Sequence, residues 1–295
     1  MSSGIYALGA VIGILAFLYP FFLDTQAAGS IGIAHGQDAP LVTTALVGLS
    51  LAALLIELQG QAVSARTVAA LGVLVAIASV LRFVEVAIPV PGGFSPVFVP
   101  IILSGYVFGG RFGFLMGAFT LLVSGLITGG VGPWLPYQMF AAGWTGLTAG
   151  WLPRFTFHAS RTTLPATRSA ILILSIFAFA WGLLYGAIMN VYFWPFAVGP
   201  VEQTWTPGLG LGETLARYGA FYAVTSLGWD LARAVGNVVL ILLLGAPTVR
   251  ALTRFQRRFH FEFLPSAVRL SIEATPPGVS EPPTHSPNPL PALRS

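Results

Sequence analysis

Cysteine and lysine are absent from the 295 residues, and charge of either sign is scarce, with 14 arginines and 10 acids making 8% of the chain. Soluble domains average roughly 25% charged residues. Without cysteine there is no disulfide framework, thiolate metal site or cysteine nucleophile. The four histidines, at 35, 158, 260 and 285, are too scattered to pair as ligands, so no metal is expected. The sequence lacks a GxxxxGK[ST] loop to cradle nucleotide phosphate. It also lacks a nucleophile with its base, so neither an enzyme nor a bound cofactor is expected.

What the chain has instead is apolar sequence: 55% hydrophobic residues, 34 glycines and a mean hydropathy of +0.81. A soluble globule of this size cannot hide so much apolar surface, whereas a bilayer span needs about 20 such residues in a row. Eight runs stand out, at about 5–23, 41–57, 67–88, 96–109, 112–129, 136–152, 169–191 and 213–246. The first lacks the basic n-region of a signal peptide and reads as a retained helix. The chain is expected to be an all-α polytopic protein of the cell membrane, with the lipid bilayer as its surroundings.

The arginines lie between the runs rather than in one patch, which argues for topology and against nucleic acid. With the N-terminus in the cytoplasm, the inner segments hold Arg66, Arg111, Arg154, Arg161, Arg168 and Arg250, Arg254, Arg257 and Arg258. The outer segments then hold Asp24, Asp38, Glu202 and Glu213, and both termini are cytoplasmic. Residues 264–295 contain eight prolines and little apolar periodicity, so 259–295 reads as a disordered cytoplasmic tail.

Small residues recur at helical spacing. Ala62, Ala65, Ala69, Gly72 and Ala76 form one stripe, and Ala142, Gly146 and Gly150 form another. Such stripes let helix backbones approach in lipid, either within the bundle or against another membrane subunit. Polar groups in the spans are rarer. Arg82 and Glu85 sit one turn apart, and Tyr222, Ser226, Asp230, Arg233 and Asn237 follow one another at helical steps. A charge at membrane depth costs at least about 2.5–3.5 kcal/mol, so Arg82, Glu85, Asp230 and Arg233 read as a self-neutralising set joining two helices. A proton relay is disfavoured, because the arginines hold the carboxylates ionised.

The outer connections combine proline, glycine, rings and amides. Trp134, Tyr137, Gln138, Asn190, Tyr192 and Trp194 offer stacking area and hydrogen bonds, the makings of a small-molecule pocket. An interfacial aromatic belt accounts for the rings alone.

The stretch LRFVEVAIPVPGGFSPVF, the GGRFG turn at 109–113, the Pro-x-x-Pro at 133–136 and WDLARAVGNVVLILLLGAP at 229–247 come in a telling order. Over about residues 65–258 the chain resembles the substrate-binding (S) component of energy-coupling factor (ECF) vitamin transporters. That resemblance implies a six-helix bundle over 65–258, here preceded by two extra transmembrane helices within 1–64. It implies a vitamin site near the outer side, and docking of the Ala65, Ala69, Gly72, Ala76 stripe on a scaffold (T) subunit. It further implies uptake driven by two ABC ATPase subunits. The substrate is expected to be a vitamin or related micronutrient, cobalamin-like or thiamine-like. The competing expectation is a stand-alone secondary transporter of a small organic solute coupled through the charged set, but the chain shows no matching broken helices or inverted repeat.

Overall fold

In the computed structural model, residues 2–22, 45, 48, 65–87, 94–153 and 168–257 are described. The chain divides into two compact units, Met1–Phe259 and His260–Ser295. The second unit, which holds the expected tail, lies outside the described residues, as does all but residues 45 and 48 of the expected span at 41–57.

The described residues are helical, without strands. Helix α1 is Ser2–Leu18, continued by a 3-10 turn at Tyr19–Phe21 where Pro20 ends the regular hydrogen bonding. Then come α2 (Ala65–Ala87), α3 (Phe98–Phe108), α4 (Gly110–Thr128), α5 (Leu135–Ala149) and α6 (Arg168–Phe193). The last stretch comprises α7 (Leu211–Thr225), α8 (Leu227–Leu240), a π-helical turn at Ile241–Gly245, and α9 (Ala246–Arg257).

Among the described residues, four stretches are long and apolar enough to cross a bilayer: Arg66–Ala87, Gly110–Thr128, Arg168–Phe196 and Leu227–Arg257. Helix α3 is different. Its 11 residues reach only about 16 Å, half of the hydrocarbon core. Nearly all of them are buried, so α3 is a central post surrounded by other helices.

Two glycines set the turns at the ends of α4. Gly109 has φ 94°, which allows α3 and α4 to meet through a single residue, and Gly129 has φ 68° as the left-handed cap. Within the bundle α4 and α5 lie backbone to backbone. A Cβ added to Gly146 would land on the Gly113 backbone, one on Gly117 on that of Ala142, and one on Gly150 on that of Gly110. The stripe at 142, 146 and 150 is therefore internal packing. The stripe on α2 has the opposite fate: Ala69, Gly72 and Ala76 are exposed, and nothing lies within 4 Å of a Cβ added to Gly72. Helix α2 faces the bundle with its other side, where Leu71, Val75 and Ala78 are buried and the Ser79 hydroxyl donates to the Thr120 carbonyl at 3.4 Å.

The expected single span at 213–246 is corrected by the structure. It breaks at Ser226, whose φ of −134° and ψ of −25° leave the helical region. Ser226 lies between Thr225 and Gly228, residues of low helix propensity that favour kinks. Tyr222 and Asp230 thus sit on different helices, although the backbone bonds Ser226 N–H to Tyr222 O and Asp230 N–H to Ser226 O carry across the break.

This packing predicts opposite outcomes for two similar substitutions. Gly146→Leu forces a side chain into the Gly113 backbone and is expected to cost more than about 3 kcal/mol, beyond ordinary overpacking. Gly72→Leu projects into open space and should change stability by less than about 0.5 kcal/mol. Thermal melting of both variants in detergent tests the pair, and equal stability would contradict the packing described.

Candidate functional site

At the predicted outer end, rings from three helices and one connection meet. Tyr137 on α5 and Tyr192 on α6 lie 4.6 Å apart by ring centroids, and both are almost fully buried. Trp194 is buried too. Its indole N–H donates to the Gln203 carbonyl at 2.9 Å, and its ring stands 5.1 Å from that of Tyr218 on α7. Helix α1 adds Phe17, 5.0 Å from Tyr137, and Phe21, 5.9 Å from Trp194 and 5.3 Å from Trp205.

Of the six expected pocket residues, the ring contacts join Tyr137 and Tyr192 directly and bring in Trp194 by way of α1. Asn190 is buried beside them with its amide engaged. It donates to the Ser226 hydroxyl at 2.7 Å and accepts from it at 3.0 Å, fixing the α7–α8 break to α6. Trp134 stays at the rim, 40% exposed, with its indole N–H on the Gly130 carbonyl. Gln138 is half-buried in the first turn of α5.

Two members of the charged set, Asp230 and Arg233, pack against α6, at Gly186 and Tyr185. Their direct ion pair lies within α8, where Arg233 Nη1 donates to Asp230 Oδ1 at 2.6 Å and also contacts the Gly182 carbonyl at 3.3 Å. The guanidinium carbon lies 5.3 Å from the Tyr185 ring centroid and 5.9 Å from that of Phe98. Two ring faces in a desolvated setting are worth about 2 kcal/mol or more. Glu85 accepts from the Ser95 hydroxyl at 2.9 Å. Ser95 thus ties Glu85 on α2 to the segment before α3, while the short ion pair lies within α8 rather than between the two helices.

Several participants escaped the reading of the sequence. Gly186 is one, because a Cβ there would fall on the Asp230 carboxylate; its absence makes room for the acid between α6 and α8. Gly182 serves Ala234 in the same way. The signal was available, since Gly182 and Gly186 repeat four residues apart on a helix that faces a charged one. Phe98, Tyr185 and Ser95 are assigned by the structure alone, and Phe17 and Phe21 come from a helix more than 100 residues away in sequence.

Removing one member of a buried pair leaves the other uncompensated, at a cost of about 3–5 kcal/mol. Asp230→Ala is therefore expected to lower the melting temperature sharply in detergent, and Gly186→Ala, which displaces the same carboxylate, to do so as well. Asp230→Asn, which keeps a hydrogen-bond acceptor for Arg233, should retain part of the lost stability. An Asp230→Ala protein as stable as the parent would remove the bracing role.

The fold thus combines a bundle with a glycine-tight core, a ring cluster at one end and an unused small-residue face. No curated protein and no solved structure matches the chain. The family described as "ECF transporter, substrate-specific component" matches residues 66–245, well over half of the chain and nearly all of α2 through the π-helical turn. This chain belongs to the substrate-specific component family of energy-coupling factor transporters, multi-pass membrane subunits that bind what is transported and are not enzymes.

Proposed function

We propose that this chain captures a vitamin or related micronutrient at the predicted outer end of its bundle and delivers it through a complex with a T scaffold subunit and two ABC ATPases. The carrying observation is the contrast between the two small-residue stripes. The one on α5 is used up inside the bundle, whereas Ala69, Gly72 and Ala76 on α2 face outward. Small residues with no internal role at this spacing suit close approach by a helix of a second membrane subunit. Beside them, between α2 and α9, lies an apolar groove of about 560 Å³ lined by Ala69, Val73, Leu74, Ala251, Leu252 and Phe255. It extends the same face towards the arginine-bearing end.

The ring cluster formed by Tyr137, Tyr192 and Trp194, with Trp134 and Gln138 at its edge and Asn190 behind, is the proposed substrate site. It suits a heterocycle that stacks on aromatic faces, and both cobalamin-like and thiamine-like substrates meet that description. Glu213 is paired with Arg217. Glu202 lies in the exposed turn Val201–Gln203, beside the carbonyl that holds Trp194, and is the acid proposed to meet a cationic substrate. The charged set gives no support to ion-coupled transport, because Asp230 is held by Arg233 and the whole set reads as bracing.

Two outcomes are expected. Ala69→Leu or Gly72→Leu should reduce co-purification of the T scaffold subunit at least tenfold, while the amount of bound small molecule measured by mass spectrometry stays unchanged. Undiminished association would reassign this face to lipid. For orientation, a cysteine at Thr204 should label from outside intact cells and one at Ser160 should not; the reverse pattern would invert the topology.

A further inference from the structure

Helix α1 lies outside the matched residues 66–245, yet it reaches into the ring cluster proposed as the substrate site. Its seat on the bundle is specific. Gly13 lies against the Phe140 and Trp144 rings, which a Cβ would strike, and Tyr6 stands edge-on to Phe114 at 5.7 Å. Phe17 lies in the last turn of α1 and Phe21 in the 3-10 turn that continues it. Phe17 is buried edge-on against Tyr137, while Phe21 touches both Trp194 and Trp205. The end of the first helix thus touches both ring pairs, Tyr137–Tyr192 through Phe17 and Trp194–Tyr218 through Phe21. Burial grades along the helix. Phe17 is deep, whereas Phe21 and Trp205 are half-buried and stand where the cluster reaches the surface. A helix serving only to cover the bundle has no need to aim its last turn, stiffened by Pro20, at two tryptophans of the opposite connection.

We propose that α1 forms part of the substrate site, with Phe17 as a fixed wall and Phe21, opposed by Trp205, as the ring at the entrance that stacks on an incoming planar heterocycle. This rests on the reading of the ring cluster as the substrate site. Specificity in this chain is then shared between the family core and a helix outside it.

The test uses full-length protein in detergent and three single variants: Phe21→Ala, Trp194→Ala and Leu15→Ala, the last on the exposed side of α1. Thiamine and cyanocobalamin are titrated against tryptophan fluorescence, and small molecules carried through purification are extracted and quantified by mass spectrometry. Phe21→Ala is expected to lower affinity or retention about three- to tenfold, the worth of one aromatic contact. Trp194→Ala should lower it at least as much, and Leu15→Ala should behave as the parent. Should an alanine variant not fold, Phe21→Leu or Trp194→Leu removes the ring while keeping apolar volume. Parent-like binding by the Phe21 variant beside weakened binding by the Trp194 variant overturns the role of α1 and leaves the site standing. Parent-like binding by both, or no compound bound by any form, overturns the site and this inference with it.

Discussion

Backbone contact between α4 and α5 is the constraint on which the rest of the bundle depends. Lipid tails are as apolar as leucine, so helices in a bilayer gain little by hiding apolar surface from their surroundings. They associate where backbones approach closely, and here Gly113 meets Gly146 with no room for a single added carbon. Gly105 on the short helix α3 meets the same Gly146, so three helices share one point of closest approach. With that centre fixed, α3 can be too short to span and still be held, because its neighbours rather than lipid satisfy its surroundings. The turns of α5 and α6 that carry Tyr137 and Tyr192 inherit their spacing from the same centre.

The charged set illustrates a second economy. A buried carboxylate and guanidinium gain little net stability from each other once their desolvation is counted. Arg233 recovers part of that cost from several partners at once: Asp230, the Gly182 carbonyl and two ring faces. Such an arrangement is specific because its partners come from three helices: Gly182 and Tyr185 from α6, Phe98 from α3 and Asp230 from α8 itself. The set thereby fixes the rotation and depth of α8 against α6. That in turn fixes where Ser226 meets Asn190, just below the ring cluster.

Much of this was legible in the sequence, and the remainder was hidden for identifiable reasons. Long apolar runs located α1, α2, α4, α5 and α6, because length and hydropathy are local properties. The charged set was expected to join two helices, whereas its short ion pair, Asp230 with Arg233, lies three residues apart within α8. The break at Ser226 did not show, since hydrophobicity and backbone hydrogen bonding both continue through it. The two small-residue stripes looked alike, because a list of glycines and alanines does not say which side of a helix faces its neighbours. Gly186 was missed for the same reason, its purpose being visible only with Asp230 opposite. Tyr137, Tyr192 and Trp194 were expected at a pocket from their place at span ends, and the structure sets them in one ring cluster. Asn190 was expected there too, but its amide bonds to Ser226 depend on helix packing across 36 residues.

The position of α1 bears on how far family membership describes this chain. The matched region supplies Tyr137, Tyr192 and Trp194, and α1 adds Phe17 against Tyr137 and Phe21 against Trp194. Edge-to-face pairs contribute about 0.5–1.5 kcal/mol each beyond burial. Two such contacts at the end of one helix therefore fix both the depth and the rotation of α1. The bulky rings of Phe140 and Trp144 allow that fit only because residue 13 is glycine. A helix added to an established bundle and held merely by lipid exclusion has no reason to need a glycine notch, a proline-tightened end and rings matched both to α5 and to the α6–α7 connection. Those features define one seat, and that seat makes α1 structurally part of the core it precedes.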